Sequence, residues 1–134
     1  MFFGFLIIFG IFSLCQYFFF CYTFLVKTKE RTYIAYLAAD CRRRHSRKYI
    51  GKWIIGFCVQ LEFLIDNKWI PIIRYDSSHA FVHRDYIHPD GKVEKTPIIA
   101  KDFNDALTFS ENDIKINWES YKEKFMKEKE KRHK

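Results

Sequence analysis

The sequence predicts an α+β fold: a three- to four-stranded antiparallel meander packed on one C-terminal amphipathic helix, preceded by an apolar N-terminal helix. Three observations carry that expectation. Apolar residues alternate with period two over residues 54–65 and again in the segments that follow. Turn signals, Asp66-Asn67-Lys68 and Pro89-Asp90-Gly91, separate these segments. From Phe103 the apolar spacing changes to that of a helix.

The first element is the apolar run. Residues 2–26 carry no charge, and 25 residues at about 1.5 Å each are enough to cross a bilayer. No basic residue precedes the run and no small-residue cleavage site ends it, which argues against a cleaved signal peptide. Eight Lys/Arg follow between residues 27 and 48, so an anchored domain would sit on the cytoplasmic side as a single-pass protein of the inner membrane. The competing reading is a leader translated from a misassigned start, which would leave a soluble cytoplasmic protein. It draws on the nine phenylalanines between Phe2 and Phe24.

Residues 27–50 hold those eight Lys/Arg against two acids, and residues 51–134 hold fifteen against fourteen. The net charge of +7 therefore concentrates in 27–50, which reads as a basic linker. That placement makes the charge weak evidence for a nucleic-acid grip by the domain itself. His45 and His133 fall in charged segments and are read as having no role.

The domain proper is expected over residues 51–126. Phe57, Val59, Leu61, Phe63 and Ile65 alternate with Cys58, Gln60, Glu62 and Leu64, which makes 54–65 a strand with one apolar face. A second strand covers 69–76. Pro71 cannot donate to a ladder, which predicts an edge position or a bulge. A third strand covers 81–88 and a more polar fourth covers 92–98. Asp102 caps the helix, with Asp105 in its first turn. Phe103, Leu107, Ser110, Ile114, Trp118, Tyr121 and Phe125 form its apolar stripe, read as core. The charged tail at 127–134 has no apolar partner and is expected to fray.

Several chemistries find no support. The five glycines are too scattered for a phosphate cradle. Cys15, Cys21, Cys41 and Cys58 form no CxxC pair, against a zinc knuckle or a disulfide framework. No cofactor is expected.

The titratable residues gather in RYDSSHAFVHRDYIHPDG, residues 74–91. Alternation puts Arg74 and Asp76 on one face of the second strand and His83 and Asp85 on one face of the third. Neighbouring strands bring these side chains within about 5 Å at Cβ, and His79 lies in the connecting loop. Three readings compete. In the first, Arg74–Asp85 or Asp76–His83 is an ion pair that fixes register and contributes about 0–1 kcal/mol. In the second, His79 and His83 share general acid and base roles, Arg74 stabilises developing charge, and Asp76 and Asp85 orient an imidazole. That is the arrangement of a metal-independent ribonuclease with RNA as substrate. In the third, His79, His83 and Asp85 are a two-histidine, one-carboxylate metal set, although their spacing matches no strict signature.

From about residue 51 to residue 125 the chain resembles a family of short uncharacterised bacterial and archaeal proteins. The resemblance rests on a core of the form RYDxxHxxxHxDxxHPDG, here Arg74-Tyr75-Asp76, His79, His83, Asp85 and His88-Pro89-Asp90-Gly91. It continues in a helix pattern that here reads Asp113-Ile114, Asn117-Trp118, Tyr121 and Phe125. More distantly, the core is similar to the TumE-type toxins of bacterial toxin–antitoxin pairs. That similarity implies a small sheet-plus-helix protein acting on RNA and restrained by an antitoxin protein. Neither resemblance reaches residues 1–46, which favours the misassigned start over a membrane partner for residues 2–26. The alternative function class is a non-catalytic binding module, tethered to the membrane by that run.

Overall fold

A computed structural model describes residues 27–79 and 81–134. The expected apolar helix at residues 1–26 lies outside the described residues. Among those described, no helix is long and apolar enough to cross a membrane.

Over the described residues the architecture is α+β, with six strands rather than three or four. They run β1 (Thr28–Ala38), β2 (Cys41–Ile50), β3 (Trp53–Ile65), β4 (Lys68–Asp76), β5 (His83–Ile87) and β6 (Val93–Pro97), followed by α1 (Phe103–Arg132). Every neighbouring pair is antiparallel and the order in the sheet is the order in the sequence.

The two extra strands come from the segment read as a basic linker, residues 27–50. That reading is corrected: β1 and β2 pair with each other along their length, and β2 pairs with β3. The alternation is present but chemically disguised. The positions of β2 that face the helix are Cys41, Arg43, His45 and Arg47, across from Phe63, Leu61, Val59 and Phe57. Charged heads at these positions hide the period-two pattern, while their aliphatic stems and the imidazole fill the space. Across the sheet from them, Arg42 and Arg44 both pair with the buried Glu62, the latter at 3.2 Å.

The turns follow local chemistry. Asp66 and Asn67 both have positive φ, 50° and 62°, as a two-residue type I′ hairpin turn requires. Gly91, with φ 85°, closes the β5–β6 turn, where Gly91 N–H donates to the His88 carbonyl. Pro71 is accommodated in a central strand, because the β3–β4 register shifts between Leu61 and Glu62.

The helix lies chiefly over β3 and β4. Asp102 caps it by accepting from Asp105 N at 2.8 Å. The buried stripe of Ala106, Leu107, Ser110, Ile114 and Phe125 packs on Phe57, Val59, Leu61, Phe63, Ile73 and Tyr75. Expected fraying after Phe125 is also corrected, since α1 continues to Arg132. Met126 packs against the core, Glu128 meets His88 Nδ1 at 2.8 Å, and Lys129 reaches Asp66 at 3.3 Å. These tertiary contacts hold a segment whose own pattern is polar.

The candidate site and a second polar cluster

The β4–β5 register sets Arg74 across from Asp85 and Asp76 across from His83. Tyr75 and Arg84, of the opposite parity, bond to helix residues, so the four site residues lie on the face turned away from the helix. Arg74 Nη2 donates to Asp85 Oδ2 at 3.2 Å. His83 Nε2 lies 3.6 Å from Asp85 Oδ1, and Lys95 Nζ lies 4.0 Å from the same oxygen. His83 and Asp85 are 2% and 3% exposed, and among the described residues neither His83 Nδ1 nor Asp85 Oδ1 has a directed hydrogen-bond partner. Such buried, unpartnered atoms are uncommon and call for an explanation.

His79 is exposed, with its ring centroid 6.2 Å from that of His83 and the two planes 22° apart. Phe81, also exposed, flanks His83 at 5.6 Å. His79, His83, Asp85 and Arg74 therefore form a row that is exposed at His79, buried at His83 and Asp85, and partly exposed again at Arg74. Asp76 has a different part from the one expected of an orienting carboxylate. Its Oδ1 accepts from Ser78 N at 2.7 Å, which shapes the turn leading to His79. Ser77 locks the base of that turn, because its hydroxyl accepts from Phe57 N at 2.7 Å.

The alternative metal set of His79, His83 and Asp85 is not assembled. Among the described residues no three His, Cys, Asp or Glu side chains come together to hold an ion. Nor is a thiolate nucleophile at hand among the described residues. Cys58 faces Asp76 from β3, and burial, reinforced by Asp76, pushes its thiol up to about 11. A cavity of about 430 Å³ opens beside Asp76 and Cys58.

A second polar cluster went unread in the sequence. His45, assigned no role there, is wholly buried on the helix side of β2. Its ring stacks on Tyr33 at 4.3 Å, with planes 10° apart. Glu111 of α1 takes the Arg47 guanidinium, and its Oε1 lies 3.0 Å from His45 Nδ1, although neither ring nitrogen makes a directed hydrogen bond among the described residues. Arg43 donates to the Glu111 carbonyl at 3.0 Å. The available signal was the alternation of Cys41, Arg43, His45 and Arg47.

The helix pattern that carried the family resemblance also acquires a physical role. Asp113 Oδ2 accepts from Tyr75 and Tyr121 at 2.7 and 2.6 Å, and Asp113 Oδ1 accepts from Asn117 at 2.9 Å. Arg84 donates to the Tyr121 hydroxyl at 3.2 Å. Tyr75, from the RYD triplet, thus ties the site-bearing strand to the helix.

A family model described as Domain of unknown function (DUF7718) matches residues 27–131. The chain belongs to that family. The DUF7718 match begins one residue before β1, so residues 27–50 are part of the family's domain, in agreement with the six-stranded sheet. No curated protein and no solved structure matches the chain.

Proposed function

We propose that this DUF7718 protein is a toxin-like, metal-independent ribonuclease. The observation that carries the reading is the row His79, His83, Asp85 and Arg74 on adjacent strands. In the proposed reaction one imidazole takes the proton of a ribose 2′-hydroxyl as that oxygen attacks the neighbouring phosphorus. The other gives a proton to the departing 5′-oxygen, and the products end in a 2′,3′-cyclic phosphate and a free 5′-hydroxyl. His79 meets the substrate from solvent. Asp85 orients His83, which the substrate reaches past the exposed Phe81. Arg74 stabilises charge on the phosphorane. Asp76 sets the turn that presents His79.

Charge supports the reading as well. Residues 1–26 hold no charged side chain, so the whole +7 belongs to the domain that begins at residue 27. That surplus favours a polyanionic substrate. A toxin of this kind implies an antitoxin protein as its partner.

Near-complete burial of His83 and Asp85 favours a second reading, a non-catalytic binding module in which the pair serves only to fix the β4–β5 register. One experiment separates the two. The full chain is incubated with single-stranded RNA in the presence of EDTA, and the ends of the products are analysed. On the ribonuclease reading, cyclic-phosphate ends accumulate, and His79→Ala and Arg74→Ala each slow cleavage about a hundredfold or more. Intact RNA, or equal cleavage by variants whose circular dichroism matches the wild type, would leave the binding module.

A further inference from the structure

We propose that the cavity beside Asp76 is a nucleobase subsite that selects guanine. The proposal rests on the ribonuclease reading for the identity of the ligand as RNA, and it adds the base that is read. The cavity holds about 430 Å³, within the size range of small-molecule sites. It lies against β1–β4 and the Ser77–Ser78 turn, and its polar walls include Glu30, Ser46, Lys48 and Asp76. Strand pairing explains why these groups meet. Glu30 is across from Lys48, Lys48 from Gly56, and Cys58 from both Ser46 and Asp76. Gly56 contributes no side chain, which leaves room between Lys48 and the turn. Ile55, partly exposed, supplies an apolar surface for a base face.

The wall chemistry discriminates among bases. Guanine presents one carbonyl acceptor beside two adjacent N–H donors on its Watson–Crick edge, a pattern that matches one ammonium and a carboxylate. Cytosine and uracil each offer two acceptors and one donor site, and adenine offers one of each. Here one ammonium faces two carboxylates. Lys48 has no ion-pair partner among the described residues. Glu30 Oε1 is held by the Ser46 hydroxyl at 2.7 Å, and only Oδ1 of Asp76 is engaged by the turn. Asp76 also faces His83 across the strand pair, and the Ser77–Ser78 wall leads directly to His79. A base seated here leaves its phosphate near His79 and Arg74.

The test titrates the full chain with the 5′-monophosphates of guanosine, adenosine, cytidine and uridine, by calorimetry and by amide NMR. Guanosine monophosphate is expected to bind at least about tenfold tighter than the others. It should shift the amides of Gly56, Ser77 and Ser78. Glu30→Gln and Lys48→Ala, both at exposed positions, should bring the four affinities close together. Gly56→Ala adds a methyl that meets Ser77 Oγ at an ordinary 3.5 Å, so it narrows the cavity without strain and should weaken binding. Equal affinities, no binding, or shifts confined to other residues would overturn the subsite. Selective binding without RNA cleavage keeps the subsite and ends the ribonuclease reading. Cleavage with no guanine preference does the reverse.

Discussion

His45 is an imidazole that the folded chain keeps neutral. Burial, reinforced by Arg43 and Arg47 and opposed by Glu111, brings its pKa down from 6.5 to about 4. Tyr33 covers the remaining ring face. Below pH 6.5 the unfolded chain binds a proton here that the folded chain refuses until about pH 4. Stability is therefore lost as pH falls through that window, by up to about 3 kcal/mol from this group alone. His45→Phe keeps a ring against Tyr33 and removes the titration. Urea unfolding of both proteins at pH 7 and pH 4.5 should show a smaller acid loss in the variant, and equal losses would contradict the assignment. The contrast with the β4–β5 site shows what was readable at this scale. Arg74, Asp76, His83 and Asp85 sit among apolar neighbours whose alternation gives their facing, so their cross-strand pairing followed from the sequence. His45 sits between arginines, where no apolar partner marks which face is inside. The burial of His83 was equally hidden, because the depth of a strand residue depends on neighbours from other strands.

Among the elements, α1 is held to the sheet by more than its apolar stripe. Asp113 receives two phenolic hydroxyls and an amide, and Tyr75 beneath it is fully buried. Burial and Asp113 together raise both phenols, Tyr121 to about 12, so each remains a donor at neutral pH. Asp113→Ala leaves those hydroxyls without their acceptor and should cost about 1–3 kcal/mol, read as a lower denaturation midpoint at unchanged slope. Tyr75→Phe removes the buried donor. Made together, the two substitutions should cost less than the sum of the singles. Strict additivity would mean that the Tyr75–Asp113 bond contributes nothing. The stripe itself was legible, since spacings of three and four identify a helix face. The position of Asp113 beside that stripe was legible only as a motif. Nothing in a one-dimensional pattern says that a carboxylate one residue before Ile114 meets a tyrosine 38 positions earlier. The extension of α1 to Arg132 was hidden for the same reason, because His88 and Asp66 lie on distant hairpins.

At the scale of the molecule, β1 and β2 decide whether the rest can fold. Without residues 27–50, β3 becomes an edge of thirteen residues rich in Phe, Ile and Leu, with its backbone groups on one side unpaired. Long apolar edges of that kind are templates for aggregation. Glu62 would also lose Arg42 and Arg44, and the Glu111 carboxylate would lose Arg47, leaving carboxylates in sites built for ion pairs. A chain of residues 27–134 should therefore give a dispersed amide spectrum and a cooperative thermal transition. A chain of residues 51–134, the domain expected from apolar periodicity alone, should aggregate or show neither. If the shorter chain melts cooperatively at a similar temperature, the β1–β2 hairpin is an appendage, and the sheet's stability resides in β3–β6 and the helix. The same pair of chains tests where the charge acts. Residues 27–50 carry most of the positive surplus, so on the proposed ribonuclease reading a shorter chain that stays folded should bind RNA more weakly and with a shallower dependence on salt. An unchanged salt slope would place the proposed RNA contacts entirely on β3–β6.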